Sequence, residues 1–214
     1  MAKKGDMRNS FDRSAASWDD DARRLATAKA VAEAIKKYVL LKPDMVALDF
    51  GCGTGLVTLH IQPFVKRISA VDMSPAMLSV LRDKIDKANI ENVEPVWAER
   101  EDKPFPDPAY DLIFSSMTLH HVKDYKAMLK KMYTALSPGG WVAIADLEEE
   151  TGDFHSDNTT VAHFGFDLKR LSRDVGKIGF IDVQIPRIYT IRKEIENGKS
   201  KDFPMFLLIA RKKV

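Results

Sequence analysis

Between residues 45 and 146, short apolar runs alternate with stretches of helical periodicity. The five apolar runs span residues 45–50, 68–72, 93–97, 111–115 and 141–146. They are apolar almost throughout, which is typical of strands covered on both faces. Strands separated by helices run parallel, because the helix carries the chain back to the end of the sheet at which the previous strand began. The sequence therefore predicts an α/β fold: a doubly wound, Rossmann-like, mostly parallel sheet with helices on both faces.

Further elements are predicted around these runs. Helices are expected at residues 30–39, 56–64, 75–88 (with Ser74 as N-cap), 124–136 and 166–178 (with Asp167 as N-cap), and a short helix or ordered arm at 10–21. Residues 180–191 and 203–211 are predicted strands with no helix between them, so the second should run antiparallel to the first. Trp97 and Trp141 lie within strands and are expected to pack in the core. Without an internal repeat or linker, residues 1–214 are expected to form one domain.

The composition of the chain argues against several functional classes. The 33 basic and 31 acidic residues leave a net charge of +2, so no general attraction for nucleic acid is expected. Cys52 is the single cysteine, which excludes an internal disulfide and a multi-thiolate zinc site. The N-terminus is polar and no apolar run is long enough to cross a bilayer. A cytoplasmic location without membrane insertion is the expectation.

Three glycines lie where the first predicted strand ends and a helix should begin. Gly51, Gly53 and Gly55 would allow unusual backbone angles there and close approach of a ligand to the main chain. The second strand ends in Asp72, whose carboxylate can accept hydrogen bonds from both hydroxyls of a ribose. The combination favours a bound nucleoside over the alternative, a tight turn without a ligand.

The spacing of the three glycines indicates which nucleoside-containing ligand would bind. In a dinucleotide fingerprint the third glycine would fall at position 56, which is Leu56. No lysine or arginine lies near the turn to assist with a diphosphate, and Asp49 places a negative charge immediately before it. A ligand that carries an ammonium and a sulfonium suits this arrangement better. The prediction is S-adenosylmethionine, with NAD as the less favoured alternative.

At these positions the chain resembles the class I S-adenosylmethionine-dependent methyltransferases. Residues 46–55 and 71–78 are similar to the first two motifs of that family, and residues 110–122 and 136–140 to later ones. The similarity is closest to the small-molecule branch that includes quinone-biosynthesis methyltransferases. Residues 98–105 resemble the family segment Gly-Asp-Ala-Glu-Asp-Leu-Pro-Phe, except that Ala98 replaces its glycine and Glu99 the aspartate that accepts from the adenine amino group.

The resemblance implies a seven-stranded sheet with an antiparallel last strand. It also implies that S-adenosylmethionine is the cofactor and S-adenosylhomocysteine the product, and that residues 1–40 cover the site as an arm and helix. Asp72 would hold the ribose, Met73 would lie on the adenine, and the backbone near Ser115 would face the methionine part. The implied cofactor contacts are Phe11, Trp18, Asp49, Gly51, Cys52, Gly53, Gly55, Asp72, Met73, Met77, Glu99, Arg100, Ser115 and His120.

Methyl transfer from a sulfonium needs alignment and exclusion of water, and a base only if the nucleophile arrives protonated. His120 and His121 follow the fourth strand, and Asp146 ends the fifth, so all three are candidate catalytic residues at one sheet edge. The alternatives are that one histidine contacts cofactor while the other packs, and that Asp146 caps a helix. His155 and His163 lie in the polar stretch 148–163, which should form a loop over the site. Because the histidine spacing matches no ordinary zinc pattern, no metal is predicted.

The function predicted from the sequence is methyl transfer to a small-molecule acceptor. The near-neutral charge favours a small molecule over a nucleic-acid substrate. Residues 11–23 and 148–166 are expected to build the acceptor pocket. The alternatives are a protein that binds S-adenosylmethionine without turnover and, less favoured, a nicotinamide-dependent oxidoreductase.

Overall fold

The computed structural model describes residues 5–99, 105–107, 109–195 and 198–214, with side chains from residue 8 onward. The α-helices are α1 (Gly5–Ser14), α2 (Ala22–Tyr38), α3 (Thr58–Ile61), α4 (Pro75–Ala88), α5 (Tyr125–Ala135) and α6 (Leu168–Ile178). The strands are β1 (Val46–Phe50), β2 (Arg67–Asp72), β3 (Val93–Trp97), β4 (Tyr110–Ser116), β5 (Leu136–Leu147), β6 (Ile181–Gln184), β7 (Arg187–Glu194) and β8 (Ser200–Arg211). Short 3-10 helices cover Ala15–Asp20, Gln62–Phe64 and Leu119–His121.

The strands form one mixed sheet in the order β3-β2-β1-β4-β5-β8-β6, with β7 also paired to β8. Strands β1 to β5 run parallel, and β8 runs antiparallel to β5, β6 and β7. The predicted doubly wound sheet with an antiparallel last strand is thereby confirmed. The strand order reverses between β1 and β4, and ligands of open parallel sheets bind beside such a reversal, beyond the carboxyl ends of the strands.

Beside β8, the sheet has two strands where the sequence predicted one. The single strand expected at 180–191 is interrupted at Pro186, so that β6 and β7 pair with successive parts of β8. Proline has no N–H to donate to a neighbouring strand. Its carbonyl still accepts from Leu207 N at 2.9 Å. The interruption therefore divides the strand in two without detaching the chain from β8.

Helices cover both faces, as predicted. Side chains of α2, α3 and α4, including Ile35, Ile61 and Leu81, pack on one face of the sheet. Side chains of α5 and α6, including Leu129 and Leu171, pack on the other. Within the described ranges, no helix is long and apolar enough to cross a membrane.

Helix starts follow their capping residues closely. Ser74 and Asp167 accept hydrogen bonds from the backbone N–H groups of Met77 and Arg170, so both predicted N-caps are confirmed. The helix expected at 56–64 is shorter than predicted. The turn that follows Gly55 continues to residue 57, so only α3 and a 3-10 turn remain of it.

The prediction that Trp97 packs in the core is wrong. Its side chain is 47% exposed, because β3 is the edge strand of the sheet. The indole Nε1 donates to Met73 O at 3.1 Å, and the Arg8 guanidinium lies 5.5 Å from the ring centre. Trp97 thus joins the arm to the end of β2 instead of filling the interior.

The contribution of β8 to the core can be measured with a matched pair of substitutions. Phe206 in β8 is fully buried, whereas Phe64 is 44% exposed. We expect Phe206→Ala to lower the free energy of unfolding by about 3–5 kcal/mol, since it removes buried apolar surface and leaves a cavity. The control, Phe64→Ala, should cost less than about 1 kcal/mol. Urea denaturation of the two variants measures both values, and equal losses would contradict this account of the core.

Candidate functional site

A cavity of about 530 Å³ lies at the carboxyl ends of the parallel strands. Its walls come from the β1–α3 turn, the ends of β2 and β4, the N-terminal arm, part of the loop after β5, and β7. Most residues singled out from the sequence line it: Phe11, Trp18, Asp49, Gly51, Cys52, Gly53, Asp72, Met73, Met77, His120 and His121. The fold therefore brings the glycine turn and the histidine pair into one space.

The glycine turn has the backbone conformation that the sequence suggested. Gly51, Gly53 and Gly55 have φ values of +73°, +54° and +82°, in the region that favours glycine. A Cβ on Gly51 would clash with Thr118, and one on Gly55 with Leu81 of α4. At Gly53 a Cβ would meet nothing within 4 Å. The backbone at Gly53 is thus open to a ligand, while Gly55 allows close packing against α4.

Asp72 fixes this turn through both carboxylate oxygens. Its Oδ2 accepts from Gly53 N and its Oδ1 from Ser74 N, both at 2.8 Å. Burial raises the pKa of this carboxyl, and the backbone N–H donors act in the opposite direction. Each carboxylate oxygen keeps lone pairs beyond the bond it accepts, so the group can also bind ligand hydroxyls.

Asp49 adds a second buried carboxyl beside the first. It is 2% exposed and accepts from Thr58 Oγ1 at 2.5 Å. Burial raises its pKa to about 7, opposed by the Thr58 hydrogen bond and reinforced by the charge of Asp72. A cation bound in the cavity would favour the ionised form of both groups. Cys52 is buried next to them, and burial raises the pKa of its thiol, so it is no reactive thiolate.

The N-terminal arm is attached directly over the turn. Asp12 accepts from Ser74 Oγ at 2.5 Å, at the start of α4. Asp19 accepts from Thr54 Oγ1 at 2.6 Å and pairs with Lys84. The sequence did not single out these contacts, because nothing in the order of residues links an aspartate of the arm to a hydroxyl some 35 to 60 positions later.

Aromatic groups of the arm reach the other end of the cavity. Phe11 and Trp18 contact each other edge to face, with ring centres 5.8 Å apart. The Phe11 ring also meets His121, at 5.5 Å. The guanidinium of Arg24 lies 3.7 Å from the centre of the Trp18 ring. One element therefore touches both the glycine turn and the histidine end.

His120 is held by a buried carboxylate. Its Nδ1 lies 2.8 Å from Asp146 Oδ1, and its backbone N–H donates to Oδ2 of the same group at 3.1 Å. His120 is 1% and Asp146 0% exposed. Asp146 does not line the cavity itself but orients the ring that does. A carboxylate can only accept here, so Nδ1 of His120 carries a proton. In the neutral ring Nε2 then holds the lone pair, and it accepts from His155 Nε2 at 3.0 Å.

Two more histidines complete a cluster. His155 Nε2 lies 3.0 Å from His120 Nε2, and His121 Nδ1 lies 2.9 Å from Thr160 O. Burial lowers the pKa of His121 to about 4 and that of His155 to about 3, so both rings are neutral at pH 7. His163 lies elsewhere in the loop and contacts the carbonyls of Val122 and Lys123. The sequence placed His155 and His163 in a loop over the site but did not indicate that His155, and not His163, would join the pair after β4.

The remaining predicted residues lie away from the cavity lining or outside the described residues. Ser115 is buried and donates to Phe50 O at 2.7 Å, while its neighbour Ser116 lines the cavity. Glu99 is exposed, and Gly55 packs on α4. Arg100 lies outside the described residues.

The chain is similar to known methyltransferases. A family model described as a methyltransferase domain matches residues 20–182. An uncharacterized methyltransferase of Schizosaccharomyces pombe is 35% identical over 123 residues, which are 53% of this chain and 43% of that protein. A demethylmenaquinone methyltransferase of Listeria welshimeri serovar 6b is 34% identical over 117 residues, 53% of this chain and 49% of that protein. The chain thus spans just under half the length of these relatives.

Solved structures agree on the fold. Phosphoethanolamine N-methyltransferase 2 of Haemonchus contortus, in complex with S-adenosyl-L-methionine, is 18% identical with a TM-score of 0.70. The same enzyme with phosphomonomethylethanolamine and S-adenosylhomocysteine is 20% identical with a TM-score of 0.69. Each comparison covers 86% of this chain and 52% of the other. With a family model that matches most of its length and a fold shared with these enzymes, the chain belongs to the class I S-adenosylmethionine-dependent methyltransferases.

Proposed function

We propose that this chain transfers the methyl group of S-adenosylmethionine to a small-molecule acceptor bound at the histidine end of the cavity. The observation that carries the proposal is the continuity of one cavity, from the acidic glycine turn to His120 and His121. A methyl donor at the turn and an acceptor at the histidines would face each other inside it. The arm covers both, which helps to exclude water from the reaction.

The donor would occupy the half of the cavity built by β1, β2 and the turn. Asp72 accepts the ribose hydroxyls, and Met73 lies against the adenine. The open backbone at Gly53 allows close approach, and Asp49 favours the positive charge of the ammonium and sulfonium. This arrangement leaves the methyl group directed towards the second half of the cavity.

The acceptor would lie among residues that differ in character from those of the donor half. Phe154 and Ile191 supply apolar surface and Lys193 supplies positive charge, while the charge of Arg24 is partly balanced by Asp21. The Nε2 lone pair of His120, oriented by Asp146, becomes available there when a bound molecule replaces the contact with His155 Nε2. A lone pair at this position assists an acceptor whose nucleophile must lose a proton, such as a hydroxyl, a thiol or an acidic ring carbon. Neutral to anionic acceptors with such a group fit the pocket best.

Transfer itself would be an in-line displacement. The acceptor atom forms a bond to the methyl carbon, the bond from that carbon to sulfur breaks, and its electron pair stays on sulfur. S-adenosylhomocysteine leaves as a neutral sulfide. The contribution of the protein is alignment and activation of the nucleophile, since the sulfonium is already a good leaving group.

Methyl transfer can be tested with a mixture of acceptors instead of a single compound. Purified protein would be incubated with a metabolite extract and S-adenosylmethionine labelled in the methyl group. We expect label in at least one small molecule, and a rate about 100-fold or more lower for His120→Ala. His60→Ala, an exposed histidine outside the cavity, is the matched control and should keep full activity. Tight binding of S-adenosylhomocysteine without transfer to any acceptor would instead identify a binding protein.

The place of the ribose can be tested at Asp72. We expect Asp72→Ala to weaken S-adenosylhomocysteine binding by roughly 100-fold, because hydrogen bonds to a charged group contribute about 1.5–3 kcal/mol each. Calorimetric titration measures the affinity. Asp83→Ala, an exposed carboxylate on α4, is the control for charge and should bind normally. An unchanged affinity in Asp72→Ala would contradict this placement of the cofactor.

The raised pKa of Asp49 predicts a pH dependence of donor binding. Without ligand this carboxyl is largely protonated below about pH 7. A cationic donor favours the ionised form, so binding releases a proton and should become several-fold tighter between pH 6 and pH 7.5. In Asp49→Asn this slope should disappear, although the affinity itself is lower. Titrations of both proteins with S-adenosylmethionine at several pH values in this range measure the affinity. If the affinity of Asp49→Asn rose with pH as steeply as that of the parent protein, Asp49 would be excluded as the titrating group.

A further inference from the structure

The three histidines converge as metal ligands do. One ring nitrogen each from His120, His121 and His155 forms a group in which all atoms lie within 4.8 Å of one another. Two of these residues follow β4, and the third comes from the loop after β5. In a tetrahedral site with zinc–nitrogen bonds of about 2.0–2.1 Å, neighbouring ligand nitrogens are about 3.3 Å apart. The 3.0 Å between Nε2 of His120 and Nε2 of His155 is close to this spacing.

Hydrogen-bond partners fix which nitrogen is free on two of the rings. Asp146 receives the Nδ1 proton of His120, and the carbonyl of Thr160 receives that of His121. Both partners can only accept, so each ring is left with a bare Nε2. Metal-binding histidines are oriented by this kind of acceptor on the nitrogen that faces away from the metal.

We propose that His120, His121 and His155 bind one divalent transition-metal ion at the acceptor end of the cavity. Imidazole ligands suit zinc, iron, cobalt and nickel, and three protein ligands leave at least one position open. All three residues line the cavity, so the open position is available to a bound molecule. Asp146 is the positioning residue for His120, and its buried negative charge offsets part of the charge of the ion.

The inference rests on the proposed function for its chemical purpose, and in the metal-bound protein coordination of the nucleophile takes the place of His120 as the base. An acceptor with a hydroxyl or thiol group would bind the metal through that oxygen or sulfur and release its proton to water, since coordination stabilises the anion. The coordinated anion then attacks the methyl carbon, and the carbon–sulfur electron pair stays on the departing sulfide. A metal-binding acceptor, such as a catechol-like or thiol compound, is the substrate class that this site fits.

The test begins with the 214-residue chain freed of metal by a chelator and titrated with Zn²⁺ and with Co²⁺. We expect one ion per chain and, for Co²⁺, the visible absorption of a site with nitrogen ligands. His155→Ala should weaken binding by more than about 100-fold and Asp146→Asn by about 10–100-fold. His60 is exposed and lies outside the cluster, so His60→Ala is the matched control and should bind metal as the parent protein does.

Measuring the binding of S-adenosylhomocysteine distinguishes the proposed metal site from the proposed methyl transfer. His155 lies outside the proposed donor half, so His155→Ala should bind this ligand normally, which also reports that the variant is folded. Absence of stoichiometric metal binding, or equal metal affinity in the parent protein and His155→Ala, would overturn the metal site and leave the proposed methyl transfer intact. Stoichiometric metal binding without affinity for S-adenosylhomocysteine would overturn the proposed function and keep the metal site.

Discussion

The carboxylate of Asp72 is the point on which the site depends. Its two oxygens accept the N–H groups of Gly53 and Ser74, which join the glycine turn after β1 to the start of α4 after β2. Ser74 in turn donates its hydroxyl to Asp12 of the arm. One partly buried acid thus connects the turn, the helix and the cover of the cavity. Desolvation raises the pKa of this carboxyl, and a bound cation would favour its ionised form.

The sequence predicted what the backbone periodicity and local chemistry control. Apolar runs separated by helices defined the parallel sheet, and Ser74 and Asp167 marked the helix starts because N-capping is a local interaction. The glycine turn and Asp72 were recognisable because strand ends of a parallel sheet meet at one edge. Trp97 was misjudged since strand membership does not reveal which strand lies at the edge of the sheet.

Contacts between distant segments could not be predicted in the same way. His155 comes from a loop without periodicity, and only the folded chain brings it to His120. The expectation that the histidines bind no metal rested on their spacing along the chain, which says little about ligands from separate segments. Asp12 and Asp19 were likewise not singled out in the sequence, although Asp12 attaches the arm to the start of α4 and Asp19 attaches it to the turn.

The interruption at Pro186 has a consequence for how the cavity is divided. It separates β7 from β6, and β7 packs against α2 and contributes Ile191 and Lys193 to the part of the cavity proposed for the acceptor. The donor half comes from the first part of the sheet, where the family motifs lie. Under the proposed function, recognition of the two reactants therefore falls to separate stretches of the chain. In that arrangement, the selectivity for acceptors can diverge through β7 and the loop after β5 while the residues proposed to bind the methyl donor stay unaltered.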